Sequence, residues 1–498
     1  MLSVEDHRTD LDPPARFSLA HHVLWANGAS DDKIALTVLK PSGSERWSYG
    51  RLRDSVLATG AALVQAGLEP GDRLLLRLGN TTEFPLAFLG AVAAGIVPVP
   101  SSAALNETEI ARIADVLRPK AVLCAPGIAL PPGLPVLSMA ELEAAEPLTG
   151  VIEGDPERPG YVVFTSGTSN APVGVVHAHR AILARRMMFD GWYGLTVEDR
   201  ILHAGAFNWT YTLGTGLLDP WTVGATALIP GPGVTPDMLP LLIRRHEATL
   251  LAASPGVFRR ILRAEPAPFP KLRHGLSAGE KLSESLRERW RDRMGTDLHE
   301  AFGQSECSTF ISGSPTRPAP AGTLGYAQPG RAVAILGPDG AVPRGETGEI
   351  AVHKSDPGLI LGYLGDATPR LDGDWFRTGD MGQMREDGAI VYAGRNDDVL
   401  TAGGFRLSPL EIEEAMSRCP GVHDAAAVDH ALDAETVVVA LHYAADAPIP
   451  ETVLRAHATQ HLARHKQPRL FVHHASLPRN PNGKLLRRAL RTDNEAGS

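Results

Sequence analysis

The sequence predicts an α/β protein. A large N-terminal domain of helix-covered, mainly parallel sheets carries a small β-barrel-like subdomain and is followed by a small C-terminal α+β domain. Three observations predict this. Strand-like and helix-like segments alternate from Trp47 to Glu306. Near Gly325 the texture changes to short alternating strands between turn signals. After Arg395 the chain starts afresh, with a helix, a strand pair, another helix and a basic tail.

The elements follow in order. WSYGRLRDSVLATGAALVQAGLEPGDRLLLRLGN, from Trp47, reads as a short strand, an amphipathic helix, a turn and a strand, with apolar residues at helical spacing from Leu52 to Leu63. Gly67 stops the helix and EPGD turns the chain. TEFPLAFLGAVAAG is the next helix, and IVPVP and PKAVLCA are buried strands. The alternation then repeats: GYVVFTS (strand), HRAILARRMMFDGWYG (helix), GATALIPG (strand), TPDMLPLLIRRHEA (helix), ATLLAAS (strand). LRHGLSAGE and DLHEAFGQSE read as strands that end in loops carrying function. GRAVAILGPDGAVPRGETGEIAVHK supplies the barrel-like strands. The expected domains are 1–394, with α/β subdomains 1–155 and 156–324 and a β subdomain 325–394, then a boundary at 395–398 and a C-terminal domain 399–498.

Composition excludes several classes. The net charge is −9 and no basic stripe stands out, which argues against a nucleic-acid partner. The longest apolar run, FPLAFLGAVAAGIVPVP, is short for a membrane span and broken by proline. Cys124, Cys307 and Cys419 form neither a disulfide framework nor a CxxC pattern, so a reducing, cytoplasmic location is expected. The polar N-terminus does not read as a secretory signal. The histidines of HAHR and VHHAS lack a third ligand at zinc spacing.

Four loops carry chemistry. FTSGTSNAPVGVVHAH follows the strand YVVF and leads toward a helix near His179. Its small and hydroxyl-bearing residues can aim N–H groups and hydroxyls at phosphate oxygens, although no Walker A lysine is present. In LHEAFGQSEC, Phe302 offers an aromatic face and Glu306 a carboxylate able to hold Mg²⁺ beside phosphates. In DWFRTGDMGQMREDGAIVYAGRNDDVL, Asp380 sits in a Gly-flanked turn and can accept from ribose hydroxyls. Lys484 closes the loop NPNGK. Taken singly, these are also ordinary turn and surface residues.

Taken together, in this order, TSGTS, SAGE, AFGQSE, WFRTGD, GRNDDVLTAGGFRLSPLEIE and PNGKLLRRAL resemble the adenylate-forming superfamily of acyl-coenzyme A synthetases, luciferases and peptide-synthetase adenylation domains. The resemblance covers nearly the whole chain. LRHGLSAGEKL and SDPGLILGYL are closest in texture to benzoate and medium-chain acyl-coenzyme A ligases.

The resemblance implies ATP-dependent activation of a carboxylic acid to acyl-AMP, followed by transfer to a thiol, with ATP, Mg²⁺ and coenzyme A as cofactors. It implies that Lys484 bridges the carboxylate and α-phosphate and that Glu306 holds Mg²⁺. Asp380 and Arg395 would bind ribose. Gly279, Glu280, Glu300 and Phe302 would frame adenine, Gly303 would also bind the nucleotide, and Thr165, Ser166, Gly167 and Thr168 would wrap the outer phosphates. Asp397 would be the hinge of a mobile C-terminal domain, bringing Gly403, Gly404 and Arg406 to the thiol channel. The loop departs from the family pattern at Asn170, where Gly is usual, and at Val173, where Lys is usual.

The implied acyl pocket comprises Phe207, Trp209, Tyr211, Ala278, Thr309 and Phe310, which suits a small aromatic or branched acid. Thr309 stands where benzoate-type enzymes tend to have histidine. Two alternatives stay open: loading of a carrier protein's phosphopantetheine, and a nucleotide- or acyl-binding pseudoenzyme. A homodimer is a further expectation.

Overall fold

The computed structural model describes residues 1–9, 13–142, 146–166, 172–264, 266–364, 368–395, 400–402, 405–432, 437–479 and 485–492. Its centre is a nine-stranded sheet. Strands Ile34–Lys40, Thr226–Pro230, Arg200–His203, Leu250–Ala253, His274–Ala278 and Asp297–Gln304 run parallel across it. Most are buried along their length, as continuous apolar runs covered on both faces must be.

A second sheet has four parallel strands and contains Arg73–Arg77, Val97–Pro100 and Ala121–Cys124. Helix Tyr49–Gln65 starts where the Ser48 side chain accepts from the Arg51 N–H at 3.3 Å. Helix Glu107–Leu117 starts with a reciprocal capping box between Asn106 and Glu109. The region after Gly325 supplies six strands of a seven-stranded antiparallel sheet built on Ala332–Gly337, Thr347–His353 and Trp375–Met384, and Val4–Asp6 supplies the seventh. The C-terminal part has a three-stranded sheet, Asp424–Ala431, Val437–Ala444 and Leu470–His474, with its own apolar core under helices Pro409–Ser417 and Glu451–His461.

Two sequence expectations are corrected. The division into contiguous subdomains 1–155 and 156–324 does not describe the sheets. Ile34–Lys40 pairs in parallel with Thr226–Pro230, and Val4–Asp6 pairs with Ala332–Gly337. Crossover connections let strands distant in sequence share one sheet. The strand Pro159–Ser166 is also not followed directly by a helix. Pro172–Ala178 is a strand, antiparallel to Pro159–Ser166, so the two strands form a hairpin. The β-branched run Val173, Val175 and Val176 suits that strand.

Candidate active site

The carboxyl ends of the central strands, the antiparallel sheet and the C-terminal part enclose one large cavity of about 1540 Å³. Asp380 lies on its wall in strand Trp375–Met384, directly across from Arg395 in Ile390–Arg395. Tyr392 donates its hydroxyl to Asp380 Oδ1 at 2.7 Å, and Gln304 Nε2 donates to Oδ2 at 2.5 Å. Arg395 Nη1 stands 3.9 Å from Oδ2. The Asp380 carboxylate is thereby orientated before any ligand arrives. Neither Tyr392 nor Gln304 was picked out from sequence. Gln304 lies inside AFGQSE, and Tyr392 follows from the register of a hairpin that only pairing reveals.

Glu306 also lines the cavity and accepts from the Tyr363 hydroxyl at 3.1 Å. Burial pushes its carboxyl above the ordinary range, and the Tyr363 hydroxyl opposes that. Glu300 is buried. Its Oε1 accepts from the Leu282 N–H at 2.7 Å and its Oε2 from Lys281 Nζ at 2.9 Å. It therefore holds the turn that follows Gly279 and Glu280. Gly279 has φ +92°, and a Cβ there would lie 2.4 Å from Trp209, whose ring covers it. Gly303 is required by a closer approach, since a Cβ would lie 1.9 Å from the Ser308 carbonyl oxygen. Phe302 lines the cavity, with Phe310 edge-on behind it at 5.5 Å and Tyr392 beside it at 5.5 Å.

Glu280 receives the C-terminal part. Arg479 Nη1 donates to its two oxygens at 2.6 and 2.7 Å, and the Leu485 N–H donates to Oε1 at 2.6 Å. Arg479 Nη2 bonds Asp424 Oδ2 at 2.6 Å, and Arg259 approaches the same oxygen at 3.4 Å. No sequence signal marked Arg479.

Of the expected acyl residues, Trp209, Tyr211, Ala278 and Thr309 line the cavity. Tyr211 is anchored by its hydroxyl on the Leu276 carbonyl at 2.8 Å and meets Trp209 edge-on at 5.1 Å. Phe207 and Phe310 do not line it. Phe207 stacks on Phe84 at 4.7 Å, and Phe310 is fully buried beneath the antiparallel sheet. Large flat rings at these two positions fill core instead.

Thr165 lines the cavity and pairs with Val173 across the hairpin; Ser166 ends its strand. Arg180 is committed elsewhere, to Glu157 and to the carbonyls of Pro357 and Leu359. His177 stacks on Tyr161, and His179 Nδ1 accepts from the Leu19 N–H at 3.1 Å, so both histidines are packing residues. Arg406 lies in strand Phe405–Leu407. Lys484, Gly167, Thr168, Asp397, Gly403 and Gly404 lie outside the described residues.

The family model for AMP-binding enzymes matches residues 24–364, and the model for the AMP-binding enzyme C-terminal domain matches 411–484. The chain is 29% identical to a benzoate–CoA ligase of Thauera aromatica, over 99% of both chains. It is 28% identical to the mitochondrial acyl-coenzyme A synthetase ACSM5 of Mus musculus, over 96% of this chain and 91% of that one. A solved benzoate CoA ligase from Burkholderia xenovorans superimposes with a TM-score of 0.85 at 26% identity, covering 95% of this chain and all of the other.

Proposed function

The chain belongs to the AMP-binding enzyme family, and from that premise we propose that it is an AMP-forming acid–coenzyme A ligase acting on a small aryl or branched carboxylic acid. It activates the acid with ATP to acyl-AMP and pyrophosphate, then transfers the acyl group to the coenzyme A thiol. The observation that carries the reading is the Leu485–Glu280 bond. It holds the residue next to Lys484 in the same cavity that Glu306, Asp380 and Arg395 line.

Adenylation brings two anions together, so positioning and charge neutralisation dominate. Lys484 would span the acid's carboxylate and the α-phosphate. Asp380, preset by Tyr392 and Gln304, would accept from the ribose hydroxyls. Phe302 would lie against the adenine. Among the described residues no cluster of three or more ligating side chains could hold a metal alone. A single half-buried carboxylate at Glu306 fits Mg²⁺, which is held by one or two carboxylates plus substrate phosphates and supplies charge neutralisation when bound. Asp397 would serve as the hinge that takes Lys484 away for thioester formation, with Gly403, Gly404 and Arg406 reaching the thiol.

For the acid, Trp209 and Tyr211, packed edge-on, form an aromatic wall beside Ala278. That shape, with the benzoate–CoA ligase relative, supports a small aryl acid. Among the described residues no helix is long and apolar enough to cross a membrane. The three cysteines are free and buried, which suits a reducing cytoplasm.

The test is pyrophosphate release with ATP and Mg²⁺ over a panel of aryl, branched and short acids, with and without coenzyme A. Acid-dependent release followed by thioester formation is expected. Acyl-AMP that never becomes a coenzyme A thioester would move the acceptor to a carrier protein. ATP binding with no release from any acid would leave a binding protein, not an enzyme.

A further inference from the structure

The aromatic wall of the acid pocket meets a polar floor built on a buried arginine. Arg185 ends helix Ala181–Arg185 and is 7% exposed. Its Nε and Nη2 donate to the two oxygens of Asp219, each at 2.6 Å, and Asp219 is fully buried. Nη2 also reaches Thr215 Oγ1 at 3.4 Å, and Nη1 donates to Ser308 Oγ at 2.7 Å. The Tyr193 hydroxyl completes the cluster, 2.7 Å from Asp219 Oδ2 and 2.6 Å from Thr215 Oγ1. Gly214 makes room for the guanidinium, since a Cβ there would lie 2.1 Å from its central carbon. Ser308 is held at φ +63°, an uncommon conformation for a residue with a side chain.

A guanidinium carries five N–H groups. Asp219, Thr215 and Ser308 take four of them. The second hydrogen on Nη1 has no acceptor among the described residues. Arg185, Thr215 and Ser308 line the same cavity as Trp209 and Tyr211. A directional donor is thus presented to whatever fills the acyl end.

Building on the ligase reading, we propose that Arg185 is a specificity-determining residue, and that the acid carries a neutral oxygen acceptor, such as a hydroxyl, ether or carbonyl, away from its carboxylate. Charge decides that the acceptor is neutral. Asp219 already compensates the guanidinium, so a second carboxylate would leave the buried floor with a net negative charge. A wholly apolar end would strip water from an N–H donor without replacing it. The neutral acceptor avoids both costs.

Matched acids of similar shape test this on the unmodified enzyme: benzoate, its ring-hydroxylated and methoxylated forms, and a benzene dicarboxylate. Pyrophosphate release should favour a neutral oxygen-bearing acid over benzoate by about ten- to a hundredfold in kcat/KM, mostly through KM, as expected for one hydrogen bond from a charged donor. The dicarboxylate should fall below both. In Arg185→Gln, if folded, the preference should shrink to within about threefold. Equal kcat/KM for benzoate and every oxygen-bearing form overturns the proposal, as does a preference for the dicarboxylate or a preference unchanged in folded Arg185→Gln. If no acid supports release, the ligase reading fails by itself. Calorimetric binding of the same acids in the presence of AMP then still decides the preference.

Discussion

Arg479 and Glu280, far apart in the chain, meet face to face: one guanidinium nitrogen bonds both carboxylate oxygens, at 2.6 and 2.7 Å. Both side chains are mostly buried, 16% and 15% exposed, and Arg479 also bonds Asp424. The contact ties the C-terminal part to the turn that flanks the expected adenine position.

Arg479→Ala should therefore weaken the docking of the C-terminal part on that turn. Loss of a charge-assisted bond is worth about 1.5–3 kcal/mol, or roughly ten- to a hundredfold in docking. Single-turnover formation of acyl-AMP should slow by about that factor. Thioester formation from supplied acyl-AMP should change far less. Equal slowing of both steps would mean that the contact serves stability alone.

Asp380→Ala removes the acceptor of the Tyr392 and Gln304 bonds. The KM for ATP should rise by about tenfold or more, with the KM for the acid little changed, as the proposed role of Asp380 as acceptor for the ribose hydroxyls requires. Steady-state kinetics with each substrate varied in turn decides this.

Burial holds the Glu306 carboxyl above the ordinary carboxylate range in the folded chain. A raised folded pKa means that the native state holds its proton longer, so this group costs stability once the pH passes above the ordinary range. Glu306→Gln should raise Tm at neutral pH without nucleotide by about 1–2 °C, and the gain should vanish as the pH falls below that range. The same variant should lose adenylation. In the unaltered enzyme the Mg²⁺ concentration needed for half-maximal rate should climb as the pH falls through the raised pKa. Differential scanning calorimetry and a Mg²⁺ titration across pH check both halves.

Val173 faces the cavity from the strand opposite Thr165, at the position where the resemblance to the adenylate-forming superfamily leads one to expect lysine. Val173→Lys should lower the KM for ATP by about three- to tenfold, the worth of one partly screened cation–phosphate contact. An unchanged KM would show that the hairpin holds phosphate through its backbone and hydroxyls.

Gly303→Ala places a Cβ 1.9 Å from the Ser308 carbonyl oxygen, at an irregular register between Asp297–Gln304 and Ser308–Ser312. Backbone cannot yield as a side chain can, so the cost should be about 3 kcal/mol or more. Urea unfolding measures it.

The sequence by itself determined the local elements and the identity of the motif residues. Helix Tyr49–Gln65 follows from apolar residues at helical spacing, and Glu306, Asp380 and Arg395 stand out because each sits in a short, distinctive word. These are local properties, carried by neighbouring residues. The tertiary structure alone decided what pairs with what. Val4–Asp6 crosses to the distant antiparallel sheet, Val173 turns back against Thr165, Phe207 and Phe310 go to core instead of the pocket, and Arg479 finds Glu280. Arg185 gives the sharpest case. In sequence it is one basic residue in a helix, and it becomes a pocket floor only because Asp219 neutralises it and Gly214 leaves it room. A periodic pattern says which face of an element is buried. It does not say which partner waits there, because that depends on chain crossings that no local window contains.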